Sequence, residues 1–495
     1  MKKKTEDYPL QGYYIPIILC KFALMNQNHL KLYLALLLAA VTMTAMSNRM
    51  GGPGRIPYPG GKCYMFRVTL RDKANTPYSV GKPEQFLSKK AIERRQRQGL
   101  KVDSTDLPVT PSYLQRMQKE GAQVVAVSKW NNTVLVKSDN RQTLEDLTVL
   151  PFVKSSELVF VSPDSIRPLS RRVRNHSELI MLDSTIHDAY GMGKAQIESI
   201  NGRRLHDFGF MGEGMTIAVL DAGFMNVDRI PAFKKVKILG TRNFVAGYDN
   251  DVYKEMDHGT KTLSVIAMDQ PKLFVGTAPK AAFWLLRCED YLTESPAEED
   301  YWIAAAEFAD SVGVDVISSS LGYHSFDDAS LSYHYADLNG RTAPISRTAA
   351  ILAHKGMILV NSAGNDGMGT WKKINVPADA PDILTVGAVS PDGVNAPFSS
   401  IGPTADGRTK PDVMAYGCPT NVVTGRGYIT PDTGTSFACP LVAGMVACLW
   451  QSMPNKTALE MIDIVRRSSS NVKTPDNIMG YGIPDFWKAY QPQKQ

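Results

Sequence analysis

From about residue 188 the chain alternates between short, nearly continuous apolar runs and longer mixed stretches. The runs occupy 215–220, 282–286, 314–319, 357–360 and 383–389. Side chains of a strand alternate between its faces, so a strand apolar at successive positions must be covered on both. Stretches 301–311 and 346–354, between the runs, read as helices. The alternation predicts an α/β domain over residues 188–490, built on a mainly parallel sheet with helices on both faces.

Residues 63–161 have another texture. Residues 64–70 alternate like a strand, 87–98 and 111–120 read as charged helices, 123–127 and 133–136 as strands, and 144–157 as a further helix and strand. This predicts a small α+β domain without a catalytic cluster of its own. Gly- and Pro-rich residues 48–62 read as a linker. Residues 162–187, which include Arg171-Arg172-Val173-Arg174, read as an exposed hinge open to proteolysis, or as a simple interdomain linker.

The run LYLALLLAAVTMTAM at 32–46 follows Lys31 and precedes small residues, the layout of a secretory signal peptide. It is shorter than the roughly 20 apolar residues of a spanning helix. Residues 1–47 are therefore expected to be leader and signal peptide, with Met25 the expected true start and a long leader or uncleaved anchor the alternative. The expectation is export to the periplasm or beyond, with membrane contact only through an uncleaved signal segment. Cys20 follows Leu19 rather than a small residue, which argues against a lipoprotein.

Composition adds limits. A chain of 495 residues with 43% hydrophobic residues can bury more than one core. The net charge of +6 is spread over local runs such as Lys89-Lys90 and Arg94-Arg95, without a basic stripe interleaved with aromatics, so nucleic-acid binding is not expected. Six cysteines in this length do not form a disulfide framework. They read as small buried residues, with a Cys288–Cys418 bridge left open.

Four short pieces carry candidate chemistry. Asp221 closes the apolar run 215–220 just before Ala222-Gly223, and a charge there needs a partner. His258, in Asp257-His258-Gly259-Thr260, opens a helical run, and histidine is the usual general base near neutral pH. Asn365, in Ser362-Ala363-Gly364-Asn365-Asp366-Gly367, follows the run 357–360; an asparagine amide can donate to an oxyanion, although Asn together with Gly is also common in plain turns. Ser436 lies in Gly434-Thr435-Ser436-Phe437-Ala438-Cys439-Pro440 at a predicted helix start, where free N–H groups and the positive helix end are available. Pro440 has no N–H to return to the Ser436 carbonyl, so the first turn must be open there. In open parallel sheets ligands bind beyond the carboxyl ends of the strands, so all four residues can converge on one edge. The order Asp, His, Ser is one of three found among unrelated serine hydrolases.

With these motifs the chain resembles subtilisin-family serine proteases (subtilases) over residues 188–490. Ser320-Leu321-Gly322, the stretch Phe398-Ser399-Ser400-Ile401-Gly402-Pro403 and Lys410-Pro411-Asp412 extend the resemblance. The earlier domain resembles inhibitory propeptides of subtilases from Bacteroidetes-type bacteria, through Phe86-Leu87-Ser88, Arg94-Arg95 and Ser128-Lys129-Trp130-Asn131. The resemblance implies a subtilisin-like fold, a secreted serine endopeptidase, a triad of Asp221, His258 and Ser436, and Asn365 in the oxyanion hole. It implies substrate binding at Ser320, Leu321, Gly322, Ala363 and Gly364, with a polypeptide substrate and the propeptide as intramolecular inhibitor. Catalysis needs no metal or other cofactor. Relatives often hold structural calcium; Asp249-Asn250-Asp251 and Asp337-Leu338-Asn339-Gly340 are carboxylate-bearing loops, but neither has calcium-loop spacing, so any calcium stays unassigned.

There are departures. Ala222 stands where Thr or Ser is commoner, Lys261 where many relatives carry a second histidine, and Phe437 and Cys439 flank the serine unusually. Cys439 suggests sensitivity to thiol reagents, and residues 323–344 read as an insertion bordering the cleft. The alternatives are an inactive peptide-binding relative, which would ordinarily have lost a triad member, and a small-ester hydrolase.

Overall fold

The computed structural model describes residues 55–166 and 188–491. The expected leader and signal peptide, Met25 and most of the hinge lie outside the described residues. The described residues from Pro57 onward form one compact unit.

Its first part is a four-stranded antiparallel sheet with strand order β2-β3-β1-β4. In chain order its elements are β1 (Tyr64–Leu70), α1 (Lys89–Arg97), α2 (Pro111–Lys119), β2 (Gln123–Ser128), β3 (Thr133–Ser138), α3 (Arg141–Asp146) and β4 (Val153–Val161). Alternation gives the sheet two apolar faces. Phe66, Val68, Val134 and Val136 enter a core with Met117 and Leu144. Met65, Ala126 and Leu135 face the other way, into a core shared with the larger part of the chain.

The larger part opens with α4 (Lys194–Glu198), α5 (Arg203–Asp207), β5 (Thr216–Asp221), β6 (Lys237–Asn243), α6 (His258–Ala267), β7 (Asp269–Gln270), β8 (Phe274–Val275) and β9 (Ala282–Arg287). It continues with α7 (Ala297–Val312), β10 (Val316–Ser319), α8 (Pro344–Ile351), β11 (Ile358–Ser362), β12 (Leu384–Val389), β13 (Val413–Tyr416), β14 (Thr420–Val423), β15 (Ile429–Asp432), α9 (Thr435–Ser452), α10 (Ala458–Ser468) and α11 (Phe486–Tyr490). Seven strands form one parallel sheet in the order β13-β12-β11-β10-β5-β9-β6.

Both sheet faces are covered, as the continuous apolar runs require. Ile217, Val219 and Val316 enter one core with the α9 residues Ala438, Val442 and Val446. Ala218, Leu220 and Ile317 enter the other with the α7 residues Trp302, Ala306 and Ala309. One described helix, Thr435–Ser452, is long and apolar enough to cross a membrane, and it is the buried core helix of this domain. From β5 the chain runs to β6 and β9 on one side, then crosses to β10 on the other. The strand order therefore reverses at β5, where parallel sheets open a crevice at the strand ends.

Strands β6 and β13, the β14–β15 hairpin and α10 were not expected from the sequence. β6 is a half-exposed edge strand whose polar residues blur the apolar run, and β13 has only four residues. Ile166, inside the expected exposed hinge, is buried with Leu321 and Tyr323, so that segment is packed where it leaves β4. The five described cysteines are free thiols, which leaves no Cys288–Cys418 bridge, and four of them are buried.

The small domain lies on α7 through ion pairs taken out of water. Arg94 and Arg95 of α1 donate to Asp310 at 2.6 and 3.0 Å, and Lys129 adds a bond of 2.8 Å. Both arginines and Asp310 are essentially inaccessible to solvent. Burial works against the Asp310 charge, but Lys129, Arg95 and Arg94 outweigh it and hold its carboxyl well below the ordinary range. Glu307 accepts from Ser128 Oγ and from the N–H groups of Lys129 and Trp130 at 2.6, 2.7 and 3.0 Å. Arg67 grips Asp300 through Nε at 3.0 and 2.8 Å. Removing one partner of such a network leaves buried charge uncompensated. Asp310→Ala in the full-length chain is expected to lower stability by about 3–5 kcal/mol, measured by urea unfolding; a loss below about 1 kcal/mol would show that Arg94 and Arg95 find water there.

Candidate functional site

Asp221 ends a strand in which every residue is buried. Its carboxylate is satisfied on both oxygens. Oδ1 accepts from the Ala222 N–H at 2.8 Å and lies 2.8 Å from His258 Nδ1, and Oδ2 accepts from Thr262 Oγ1 at 3.0 Å. Thr262 stands one helical turn after His258 on α6, so a single helix supplies both partners. Its i, i+4 spacing was the available signal for a residue the sequence reading missed. The start of α6 comes close to the exit of β5: a Cβ on Gly259 would lie 2.4 Å from the Gly223 carbonyl oxygen. That contact explains the glycine after the histidine, and Thr260 Oγ1 donates to the Met225 carbonyl at 2.9 Å.

Burial of the His258 ring opposes protonation, but the Asp221 charge and hydrogen bond outweigh it, with smaller support from Glu289 and opposition from Lys261. The imidazole pKa is raised to about 9. Glu289, just past the end of β9, is pushed up to about 7 by its burial and by Asp221, restrained by His258 and Arg287. It too escaped notice in the sequence. Lys261 does no visible acid–base work; it pairs with Asp432 at 3.0 Å and so ties α6 to β15.

Ser436 is the second residue of α9 and is held through three adjacent contacts. On its N-terminal side, Asn365 Oδ1 accepts from both the N–H and the Oγ1 of Thr435, each at 2.9 Å. On its C-terminal side the Phe437 ring lies 6.0 Å from the His258 ring, centroid to centroid. Its own carbonyl, left without a helical donor by Pro440, accepts from Ser320 Oγ at 2.9 Å. The open first turn expected from Pro440 is thus closed by a side chain from the end of β10. The structure gathers Asp221, His258, Ser436 and Asn365 at the carboxyl edge of the sheet. Ser436 itself is only 8% exposed.

The Asn365 oxygen is committed to Thr435, and among the described residues its NH2 group has no hydrogen-bond partner. Gly364 makes the preceding turn at φ +109°, and a Cβ there would meet Ser400 Oγ at 2.8 Å. Ala363 is fully buried; its N–H donates to Val386 and its carbonyl accepts from Asn375, at 2.9 and 3.2 Å. Leu321 offers its carbonyl to Asn361 Nδ2 at 3.1 Å. Beyond Gly322, Tyr323 and Val376 exchange backbone bonds of 2.9 and 3.0 Å, which anchors the segment at its far end.

Cys439 departs from its expected reactivity. It is buried against the carbonyls of Ser319 and Val360, and burial pushes its thiol up to about 12, so the reactive thiolate is scarce. In the two carboxylate-bearing loops, Asp249 and Asp251 pair with Lys254, while Asp337 accepts from the His334 N–H and Asn339 from those of Arg341 and Thr342.

Comparison with known proteins agrees with this architecture. The subtilase family model matches residues 212–482, and a model for the peptidase S8 propeptide domain of Bacteroidota matches residues 65–178. Subtilisin NAT of Bacillus subtilis subsp. natto is 28% identical over 269 residues, which cover 54% of this chain and 63% of the relative. The membrane-bound transcription factor site-1 protease of Rattus norvegicus is 26% identical over 297 residues, covering 58% of this chain and 26% of that protein. The matched region thus spans less than two thirds of the length of these curated relatives. Among solved structures, MycP1 from the ESX-1 type VII secretion system shares the fold at a TM-score of 0.50 and 21% identity, over 66% of this chain and 92% of that one. A family match over more than half of the chain, on a seven-stranded parallel sheet that carries the Asp–His pair beside Ser436, makes this protein a member of the subtilase family.

Proposed function

We propose that this chain is an exported serine endopeptidase made as a self-inhibited precursor. The observation that carries this reading is the 2.8 Å hydrogen bond from His258 Nδ1 to a buried, fully satisfied Asp221, beside a serine at a helix N-terminus. His258 takes the Ser436 proton as the hydroxyl attacks the scissile carbonyl, and returns it to the leaving amine. Asp221 holds the Nδ1-protonated tautomer and stabilises the imidazolium. The Asn365 NH2 and the Ser436 N–H receive the negative charge of the tetrahedral intermediate. Backbone groups along Ser320-Leu321-Gly322 pair with an extended polypeptide as an added strand, and Ala363 and Gly364 wall the site beneath it.

The small domain fits the role of intramolecular inhibitor. Its grip on α7 combines buried ion pairs with a shared apolar core, its last strand runs out at Val161, and Ile166 just beyond is buried in the same core as Leu321 of the proposed substrate edge. Cutting within the hinge at 162–187 releases the domain, and its ion-pairing side chains return to water.

In the mature enzyme Ser436→Ala is expected to lower turnover about 10⁶-fold, the magnitude of nucleophile removal in subtilisin. Asn365→Ala is expected to cost about 10²–10³-fold in kcat with KM little changed. Peptide hydrolysis assays give both values, and a loss confined to KM on replacing Asn365 would count against an oxyanion role.

The raised His258 pKa sets a pH prediction. Protonated imidazole cannot act as a base, so activity rises with pH toward about 9. The stability contributed by the His258–Asp221 pair is fully present below the ordinary histidine value of about 6.5 and is lost as the pH climbs through the folded value. Asp221→Asn in a Ser436→Ala chain is expected to move the His258 midpoint down by more than one pH unit, read by NMR of the imidazole nitrogens. A midpoint that stays in place would mean that Asp221 does not hold the charge.

A further inference from the structure

Between β9 and α7 the chain gathers negative charge beside the cleft. Carboxylate oxygens of Glu289, Glu294 and Glu298 all lie within 4.8 Å of one another. Glu298 alone has a local structural explanation. It sits in the first turn of α7 and accepts from the N–H groups of Ser295 and Asp290, each at 3.0 Å. Among the described residues, the carboxylates of Glu289 and Glu294 accept no hydrogen bond and join no ion pair. The cations nearest Glu289 in effect are His258 and Arg287. The first is committed to Asp221 and the second to Glu255, at 2.8 and 3.2 Å.

A second observation points into the same place. Tyr323 is 2% exposed, and its hydroxyl has no hydrogen-bond partner among the described residues. The carboxylates whose charges bear most strongly on that hydroxyl are Glu298, Glu289 and Glu294. A buried hydroxyl within the electrostatic reach of three clustered carboxylates, yet bonded to none of them, leaves polar groups here that no protein partner satisfies. An all-oxygen lining, with separations no greater than about twice a Ca–O distance of roughly 2.4 Å, suits a hard divalent cation. Calcium tolerates irregular ligand sets completed by water, whereas magnesium demands a tight octahedron.

We propose that Glu289, Glu294 and Glu298 bind a calcium ion with the Tyr323 hydroxyl at the margin of its shell. The ion joins three pieces of chain around the cleft: the end of β9, the first turn of α7, and the segment that begins at Tyr323. Backbone and side-chain bonds already link Glu294 to Asp327 in that segment, at 2.9 and 3.0 Å. The ion would fix the loop that carries Glu289 next to His258. This site lies apart from the two carboxylate-bearing loops noted in the sequence, and its binding does not depend on the proposed catalytic roles.

The test uses the full-length chain with Ser436→Ala, which prevents self-digestion. Its melting temperature is expected to rise by several degrees when calcium chloride is added after chelation, and less with magnesium chloride. Adding Glu294→Gln is expected to remove the calcium response and, in chelator, to raise melting above that of the parent, because one of three repelling carboxylates is gone. A parent indifferent to calcium, or a Glu294→Gln chain that keeps the full response, would overturn the site. Should Glu294→Gln fail to fold, terbium luminescence on the parent decides: one equivalent of bound terbium that calcium displaces and Glu289→Gln abolishes supports the site, and its absence refutes it.

Discussion

A carboxylate buried at the end of an apolar strand constrains everything around it. A carboxylate buried in that position is tolerated only with its oxygens satisfied. The Ala222 N–H, Thr262 and His258 meet that need, and two of these come from one helix. The position of α6 is therefore set by the demand of a single side chain on β5. The closeness of that approach in turn requires glycine at position 259.

The same logic recurs at Ser436. Pro440 removes a helical hydrogen bond, the Ser320 hydroxyl replaces it, and the first turn of α9 becomes tied to the end of β10. Asn365 ties that turn to the loop after β11. Three strand ends and two helix starts are thereby locked together at one edge of the sheet. The proposed inhibitory domain is held by a shared apolar core and by charges that are stable in the interface only while paired. Those charges return to water if the domain leaves, but Met65, Ala126 and Leu135 then lose the apolar core they share with the larger part.

The sheet, the central helices and the four site residues were legible in the sequence because continuous apolar runs and small-residue motifs need no partner to be recognised. β6 and β13 were not, since an exposed edge and a four-residue strand carry too little pattern. Arg94 and Arg95 stood out in the sequence only as a basic pair in a charged helix and as part of the propeptide resemblance. Their burial became visible only once the acids of α7 were set against them, and no local pattern announces a pairing across more than two hundred residues. Thr262 was within reach of a spacing argument from His258. Glu289, Glu294 and Glu298 were not, because their convergence depends on a turn whose geometry the letters do not encode. Cys439 corrected the reading in the other direction: a thiol near a nucleophile suggested reactivity, and burial removes it.

Labelling by a fluorophosphonate probe, followed by mass mapping of the modified residue, tests the central claim most directly, because the reagent reacts with a serine only when a base and an oxyanion site activate it. The account predicts rapid labelling of Ser436 in the processed chain, slow labelling in the precursor, and loss of labelling in both His258→Ala and Asp221→Asn chains. A processed, folded chain that leaves Ser436 unmodified, or labelling that persists without His258, would contradict it.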